Sequence, residues 1–391
     1  MTGSALPEEA SRTETGGTAR VSVLELFFDL VFVLTITQLT ALLAADLSWR
    51  GDGQVVVMLA LLMWMYGGYA WLTNAIEPNN PIRRTGMLIG MGGFLAIALA
   101  IPDAFGASGW AFGVGYFVVN GVHTGLFIAA GGAGPVRAFR QLGPLNLLSA
   151  TLILVGGFTP DGWRWGLWIA AMLVQFASPY LLPIGEFALS PSHFVERHGL
   201  LIIIALGESL IAIGIGAEGL ELTPILLLTA VLGLAVTYLL WWLYFGGATE
   251  IAEHAFAAFS PRERSRVAIH AFGWAHLGLF IGIVGVAAGI KKTMGHADGH
   301  LKLTEALVLA AGLAIFIMSD VAFRRVLGIG PLIHRVIGAV VILAVIPAGL
   351  VAGVLGLVAA VVVLSVMLYF EDRARGLRWG DRSAWTKPTQ T

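Results

Sequence analysis

A few carboxylates stand inside the apolar segments of this 391-residue chain, where a charge is costly. Glu208, in "LIIIALGESLIAIG", lies twelve residues after Glu196, which is about 18 Å along a helix and near the middle of a membrane. A buried carboxyl at that depth can carry a proton or bind a cation, or it can be a neutral acid that hydrogen-bonds to a neighbouring helix. We predict that Glu208 lies on a transport path.

Two further acids open the segment "ELFFDLVFVLTITQLT". Glu25 and Asp29 are four residues apart, so on a helix they share one face. An acid in the first turn complements the helix dipole, which is the simplest role for Glu25 and for Glu196, whereas Asp29 lies one turn deeper. Three cationic residues predicted on the same membrane side could pair with Asp29: Arg84, His270 and Arg324.

Uncharged polar residues and histidines complete the candidate site. A lone membrane histidine is usually an interhelical hydrogen-bonding group, but several histidines and acids in one bundle allow a proton relay. Asp320 and Arg324, also four residues apart, read as a structural ion pair within one helix. The predicted transport or ion-binding residues are Glu208, Asp29, Thr37, Gln38, Ser209, His270, His276, Glu25, Glu196, Asn120 and His123.

The sequence lacks the motifs of zinc proteases and of ATP-binding loops. No HExxH and no GxxxxGK[ST] pattern occurs. The chain has no cysteine, which excludes thiol chemistry and Cys-ligated metals. We therefore expect no catalytic residue, no metal and no cofactor, and no ATP-driven transport.

These polar residues must be held by membrane helices. The chain is 57% hydrophobic and 12% charged, and its apolar residues come in long blocks that do not alternate as barrel strands do. Fifty glycines suit close helix packing in lipid. We predict an all-α, polytopic transmembrane helical bundle with about twelve spans, near 22–45, 54–73, 86–102, 109–131, 143–158, 163–184, 197–217, 224–246, 266–290, 304–323, 333–349 and 351–371.

The chain ends and the loops set the orientation. If the N-terminus is cytoplasmic, most of the 23 Lys and Arg residues fall in cytoplasmic segments, as the positive-inside rule requires. Residues 1–20 are polar and read as a disordered cytoplasmic N-terminus. Residues 372–391 read as a basic cytoplasmic tail that lies on anionic headgroups. The last two predicted spans have almost no polar groups and are expected to face lipid.

Three pairs of short segments and one pair of glutamates recur in order, at an offset near 180 residues that rises to 196 for the last segment pair. "WMYGGYA" resembles "WLYFGGA", "PIRRTGMLIGMGGF" resembles "PRERSRVAIHAFGW", and "GAGPVRAF" resembles "GIGPLIHR". Glu25 then aligns with Glu196, which sets Thr37 opposite Glu208 and Gln38 opposite Ser209. We predict two six-helix repeats, residues 21–190 and 191–371, in parallel orientation because six is even.

Two motifs together resemble a known family. "ELFFDLVF" from Glu25 to Phe32 and "ERHGLLIIIALGES" from Glu196 to Ser209 resemble the paired motifs of the bacterial low temperature requirement A family. The first helix also resembles, more weakly, the pore-lining helix of potassium channels of the transmembrane protein 175 type, where Phe28 stands in place of a serine. This second resemblance implies a two-repeat architecture.

The functional expectation is a plasma-membrane, multi-pass transporter or channel with both termini cytoplasmic. It would move a small ion, a proton or cation, or a solute along a polar path between the repeats. Two alternatives stay open: an intramembrane enzyme that uses Glu208, His276 and His123 on a lipid-soluble substrate, and a membrane-state sensor without transport. The expected partners are the lipid bilayer and the ion or solute, with no nucleic acid; a homo-oligomer is compatible with the sequence.

Overall fold

The chain folds as a bundle of long helices. The computed structural model describes residues 21–75, 80–130, 133–182, 189–246 and 248–374, without the side chains of residues 130–141 and 248–249. No strand occurs in these ranges. By length and hydropathy, ten helical stretches of the described chain could cross a membrane. The predicted all-α polytopic membrane class is therefore confirmed.

Six helices form the first half. They are α1 Val23–Ala45, α2 Trp49–Ala75, α3 Pro81–Ala100, α4 Gly109–Ala130, α5 Ala133–Gly157 and α6 Asp161–Leu181, with a short 3-10 turn Ile101–Asp103 after α3. Each coincides with one of the first six predicted spans. Within α5 only Leu142–Gly157 is apolar, and α6 is not among the ten stretches that meet the criteria for crossing.

The second half has the same number of long helical units, broken into more pieces. The helices are α7 Pro191–Ala217, α8 Pro224–Phe245, α9 Ala248–Ala258, α10 Pro261–Val267, a π-helical segment Ala268–Ala275, α11 His276–Gly295, α12 Leu303–Val326, α13 Ile333–Val341, a 3-10 turn Ile342–Ala344, α14 Val345–Val351 and α15 Gly353–Ala374. Ala352 is extended, so α14 and α15 turn back on one another. The prediction of two crossings in this stretch is confirmed.

Local signals fix where the key helices begin. The Ser22 side chain accepts a hydrogen bond from the Glu25 backbone, and the Glu25 carboxylate accepts one from Ser22, which forms a capping box at the start of α1. Helix α7 begins at Pro191 after Ser190, because proline suits the first helical position. This start lies six residues before the predicted one, so Arg197 lies inside the helix.

Small residues bring α11 and α12 together. A Cβ placed on Gly312 would meet the backbone nitrogen of Val286, and one on Gly282 would meet the backbone of Phe316. Backbone contact of this kind packs helices tightly in a membrane, where apolar burial gives no drive for association. The buried residues of this pair belong to a continuous apolar core that extends through both halves.

The helices of the two halves have similar packing partners. In the first half α1 packs on α3, α3 on α4, α4 on α5, and α5 on α6. In the second half α7 packs on α11, α11 on α12, α12 on α13 and α14, and these on α15. This agreement is what two six-helix repeats would give. The two-repeat arrangement and its boundaries remain a prediction. Residues 1–20 and most of the predicted tail lie outside the described ranges.

Candidate functional site

The acids of α1 meet an arginine of α7. Nη1 of Arg197 donates to Oε1 of Glu25 at 2.6 Å, and Nη2 donates to Oδ1 of Asp29 at 3.3 Å. All three side chains are buried, with exposed fractions of 2% or less. Helix α2 completes the group through Tyr66 and Thr73, and we call these five residues the α1–α7 cluster. The cluster links the first helices of the two halves.

Each member of the α1–α7 cluster contacts more than one other. The Tyr66 hydroxyl donates to Oδ1 of Asp29 at 3.1 Å, and Nε of Arg197 lies 3.4 Å from the same hydroxyl. Nη1 of Arg197 also donates to the Thr73 hydroxyl. The guanidinium stands 5.7 Å from the centre of the Phe28 ring, within cation–π range. The arginine charge is therefore surrounded by acids, hydroxyls and a ring face.

A histidine and an asparagine support Glu25 from the side. Oδ1 of Asn74 accepts from the backbone nitrogen of Ser190 at 3.0 Å, which fixes the orientation of the amide. Its Nδ2 then lies 3.2 Å from Nδ1 of His193 and donates to it. The proton of this imidazole is accordingly on Nε2, which faces Glu25 at 3.2 Å. Glu25 thus combines the helix-capping role with pairing to two residues of α7.

A second contact between α1 and α7 lies deeper in the bundle. The Thr37 hydroxyl donates to Oε2 of Glu208 at 2.6 Å, and Glu208 is 2% exposed. Thr37 lies eight residues beyond Asp29, or about 12 Å along the helix. The predicted opposition of Thr37 and Glu208 is therefore observed as a direct hydrogen bond.

An apolar layer separates the two contacts. Phe32 and Ile36 on α1, and Leu201, Ile202 and Ala205 on α7, are fully buried between the α1–α7 cluster and the Thr37–Glu208 pair. Between the two levels the polar side chains of these helices are Thr35 on α1 and His198 on α7, and Nδ1 of His198 donates to the Phe194 carbonyl of its own helix at 2.8 Å. The Thr35 hydroxyl donates to the Phe32 carbonyl of its own helix at 2.6 Å.

A second buried charge cluster joins α12, α13 and α15. Asp320 accepts from Nε of Arg324 at 3.0 Å and from Arg335, and Arg335 forms two hydrogen bonds with Glu371, at 2.8 and 3.1 Å. Both arginines also donate to the Leu243 carbonyl at the end of α8. We call Asp320, Arg324, Arg335 and Glu371 the α12–α15 cluster.

The α12–α15 cluster corrects two expectations. The predicted ion pair of Asp320 and Arg324 is observed, but it is part of a network over three helices. The last two spans were expected to have almost no polar groups and to face lipid. They do expose apolar side chains, such as Val340 and Val362, but Arg335 and Glu371 are buried inside the bundle, with exposed fractions of 2% and 1%. A hydropathy average over a span conceals a single charged residue near its end. Arg335 lies near the start of α13 and Glu371 near the end of α15, and they meet because these helices are antiparallel neighbours.

The histidines do not form one relay. Nδ1 of His276 donates to the Ala271 carbonyl at 2.8 Å, and its Nε2 accepts from the Tyr244 hydroxyl at 2.9 Å. His276 also contacts the ring of His198. His123 packs against Tyr69 and Phe127 in the first half, and His270 is exposed.

The remaining predicted residues have mixed positions. Asn120 is buried and donates to the Asn146 carbonyl at 3.3 Å. Ser209 is fully buried beside Glu208, and Gln38 is half-buried. Glu196 is exposed and accepts only a long hydrogen bond, 3.4 Å, from the Val21 backbone. The structure therefore brings together Thr37 and Glu208, and separately Glu25 and Asp29, while His270 and Glu196 lie apart from both.

Sequence reasoning missed Arg197, His193 and Tyr66. Asp29 was expected to pair with Arg84, His270 or Arg324, and that expectation was wrong because its ionic partner is Arg197. The signal that could have revealed Arg197 is the pair Ser190–Pro191, a helix start that places Arg197 two turns inside α7. Among the described residues no group of three His, Cys, Asp or Glu side chains could hold a metal ion.

Comparison with known proteins gives one family and one relative. Residues 20–370 match the family described as bacterial low temperature requirement A protein. An uncharacterized protein of Rhizobium meliloti (strain 1021) is 29% identical over 339 residues, which cover 81% of this chain and 80% of that protein. No solved structure matches.

Proposed function

Because the chain belongs to the bacterial low temperature requirement A family, whose description names a growth requirement and no molecular activity, we propose a function from its buried charges. The proposal is a carrier that moves a small ion, a proton or cation, or a solute across the plasma membrane between the two halves. Both termini would be cytoplasmic. The multi-pass membrane character on which this rests is given by the ten apolar helical stretches.

The observation that carries the proposal is the Thr37–Glu208 hydrogen bond. It joins a carboxyl of one half to a hydroxyl of the other, at 2.6 Å and near the middle of both helices. Carboxyls at this depth face the bundle interior, and proton relays and ion pathways are their usual context. Gly207 precedes the acid, and no atom lies within 4 Å of the position its Cβ would take.

The apolar layer favours a carrier over an open channel. Phe32, Ile36 and Leu201 are fully buried between Glu208 and the end of the bundle where α1 begins. The α1–α7 cluster closes that same end with ion pairs between the halves. Alternating access by movement of one repeat against the other would open such a contact and expose the carboxyl. A permanently open pore would need polar side chains along this layer.

The test is flux into proteoliposomes that contain the purified full-length protein. A pH-sensitive dye reports protons, and cation-sensitive dyes report sodium and potassium, under imposed gradients. The variant is Glu208→Gln, which keeps the shape of the side chain and the hydrogen bond from Thr37 but cannot ionise. The matched control is Glu218→Gln, an exposed carboxyl at the end of the same helix.

We expect flux above that of protein-free liposomes for the wild type and for Glu218→Gln, and loss of that flux for Glu208→Gln. Equal melting temperatures of the two variants would show that the loss is not unfolding. If Glu208→Gln carries the same ions at the wild-type rate, the proposed role of the Glu208 carboxyl in transport is wrong. If the wild type gives only the background of empty liposomes for all three ions, the ion-transport proposal fails.

The residues behind the enzyme alternative make separate contacts. Glu208 bonds to Thr37, His276 to Tyr244, and His123 packs on Tyr69. No observation on the described residues favours an enzyme or a sensor over the carrier.

A further inference from the structure

A cavity of about 180 Å³ lies between the two halves, away from the Thr37–Glu208 pair. Helices α2, α4, α5 and α6 of the first half line one side, and α7 and the α10–α11 segment of the second half line the other. The rings that face it are Trp64, Trp71, Phe127, Phe176, Phe194, Phe272 and Trp274. A cavity between repeats is where membrane proteins of this architecture bind small molecules.

The wall contributed by the second half is unusual in its backbone. Residues 268–275 are a π-helical segment, and Ala268, Phe272 and Gly273 from it line the cavity. Single π-turns inside longer helices occur frequently at functional sites, because the extra residue redirects side chains and frees backbone groups. Gly67 of α2 and Gly273 lie on the cavity wall, and no atom lies within 4 Å of the position that a Cβ would take at either glycine.

Size and charge limit what the cavity can hold. An engineered protein cavity of roughly 150 Å³ binds benzene, so about 180 Å³ suits one six-membered ring with a small substituent. Among the described residues that line the cavity there is no Asp, Glu, Lys or Arg, so an ion would be buried beside them without a counter-charge, at high cost. The occupant that fits is neutral, and the surrounding rings favour an aromatic one.

A histidine supplies a hydrogen-bonding group to the occupant. Nε2 of His123 is buried and makes no hydrogen bond of standard geometry among the described residues. The imidazole lies on the cavity wall over Gly68, and the Gly68 backbone is the polar group beside it. The half-buried Asn146 also lines the wall. A buried polar atom without a partner is uncommon in folded proteins and calls for an explanation such as a ligand.

We propose that this cavity binds a neutral monocyclic aromatic molecule that carries one hydrogen-bonding group, of the size of a phenol. The ring stacks among the aromatic side chains, and its polar group bonds to His123. The proposal is independent of ion transport, since it requires binding alone and uses a different part of the bundle.

The probe is 4-fluorophenol, followed by fluorine NMR with the full-length protein in lipid nanodiscs. The substitution Gly67→Leu puts four carbons into the cavity and would fill about half of it. Gly273→Leu fills it from the opposite wall. The matched control is Gly92→Leu on the exposed side of α3, where a Cβ likewise has no neighbour within 4 Å. Two charged analogues, 4-fluorobenzoate and 4-fluorobenzylammonium, test the requirement for neutrality.

We expect saturable binding of 4-fluorophenol to the wild type and to Gly92→Leu, with affinity lower by about tenfold or more in Gly67→Leu and Gly273→Leu. His123→Phe keeps a ring and removes the hydrogen bond, so its affinity should fall by about threefold to tenfold. Equal, non-saturable uptake by wild type and filled variants would be membrane partitioning and would overturn the proposal. Tighter binding of the benzylammonium would overturn it in favour of a cage for organic cations. Unchanged melting temperatures exclude misfolding of the filled variants.

Discussion

Replacing Arg197 with methionine tests whether the α1–α7 cluster holds the two halves together. The substitution removes four polar contacts, with Glu25, Asp29, Thr73 and Tyr66. It leaves two acids that are 2% and 0% exposed. Glu25 keeps His193 and Ser22, whereas Asp29 keeps the Tyr66 hydroxyl. Removing one partner of a buried ion pair costs about 3–5 kcal/mol, and we expect a loss of unfolding free energy in this range.

A second ion pair of this chain serves as the control. Arg50 and Asp161 also join two helices of the bundle, but their side chains are 59% and 36% exposed. Exposed pairs contribute about 0–1 kcal/mol, so Arg50→Met should have little effect. The assay is equilibrium unfolding in mixed micelles with increasing mole fraction of SDS, followed by tryptophan fluorescence, on the two single variants and the wild type.

A charge-free version separates electrostatics from packing. In the triple variant Arg197→Met, Glu25→Gln, Asp29→Asn no buried charge is left without a partner, so most of the lost stability should return, to within about 1–2 kcal/mol of the wild type. If Arg197→Met unfolds as easily as Arg50→Met, the cluster does not hold the halves together. If the triple variant is as unstable as the single one, the loss comes from packing and the electrostatic reasoning is refuted.

Three further outcomes are expected. Arg335→Met leaves Glu371 buried without its two hydrogen bonds and should cost about 3–5 kcal/mol in the same unfolding assay; a change below about 1 kcal/mol would contradict the burial argument. Gly312→Ala should destabilise the bundle because its Cβ would meet backbone atoms of α11, whereas Gly92→Ala, which has open space, should be neutral or stabilising by up to about 1 kcal/mol; equal melting temperatures would contradict the close approach. A cysteine placed at Lys302, in a chain without native cysteine, should react with a membrane-impermeant maleimide in intact cells, and reaction only after lysis would overturn the predicted orientation.

The sequence predicts the helices better than the contacts between them. Long apolar blocks must become helices in lipid, and each of the twelve predicted spans corresponds to a helix or a broken helix of the structure. The breaks themselves were not predicted. The π-helical segment Ala268–Ala275 has no proline and only Gly273 as a weak signal, because a π-turn depends on the packing of neighbouring helices.

Pairing between distant residues explains the errors at the candidate site. The sequence aligns Glu196 with Glu25 because both are predicted at helix starts. Helix α7 instead begins at Pro191, and in its second turn Arg197 points inward and Glu196 outward. The positive-inside rule counted Arg197 as a loop charge. A hydropathy window cannot place Arg197 inside a helix, because the predicted span ends at the first charged residue. Only the cap signal Ser190–Pro191 was available, and it sets a register rather than a partner.

Contacts between α1 and α7 explain the two family motifs. The acids of "ELFFD" lie in the first two turns of α1 and the arginine of "ER" lies in the second turn of α7, so the two helices form ion pairs across the interface between the halves. About two helical turns further along α1 and three along α7, Thr37 meets Glu208. A rigid scaffold would not need a carboxyl at position 208, since an apolar residue would pack there without the free-energy cost of burying an acid. The ion pairs join the two halves, and under the proposed carrier function Glu208 is the group that separation of the halves would expose.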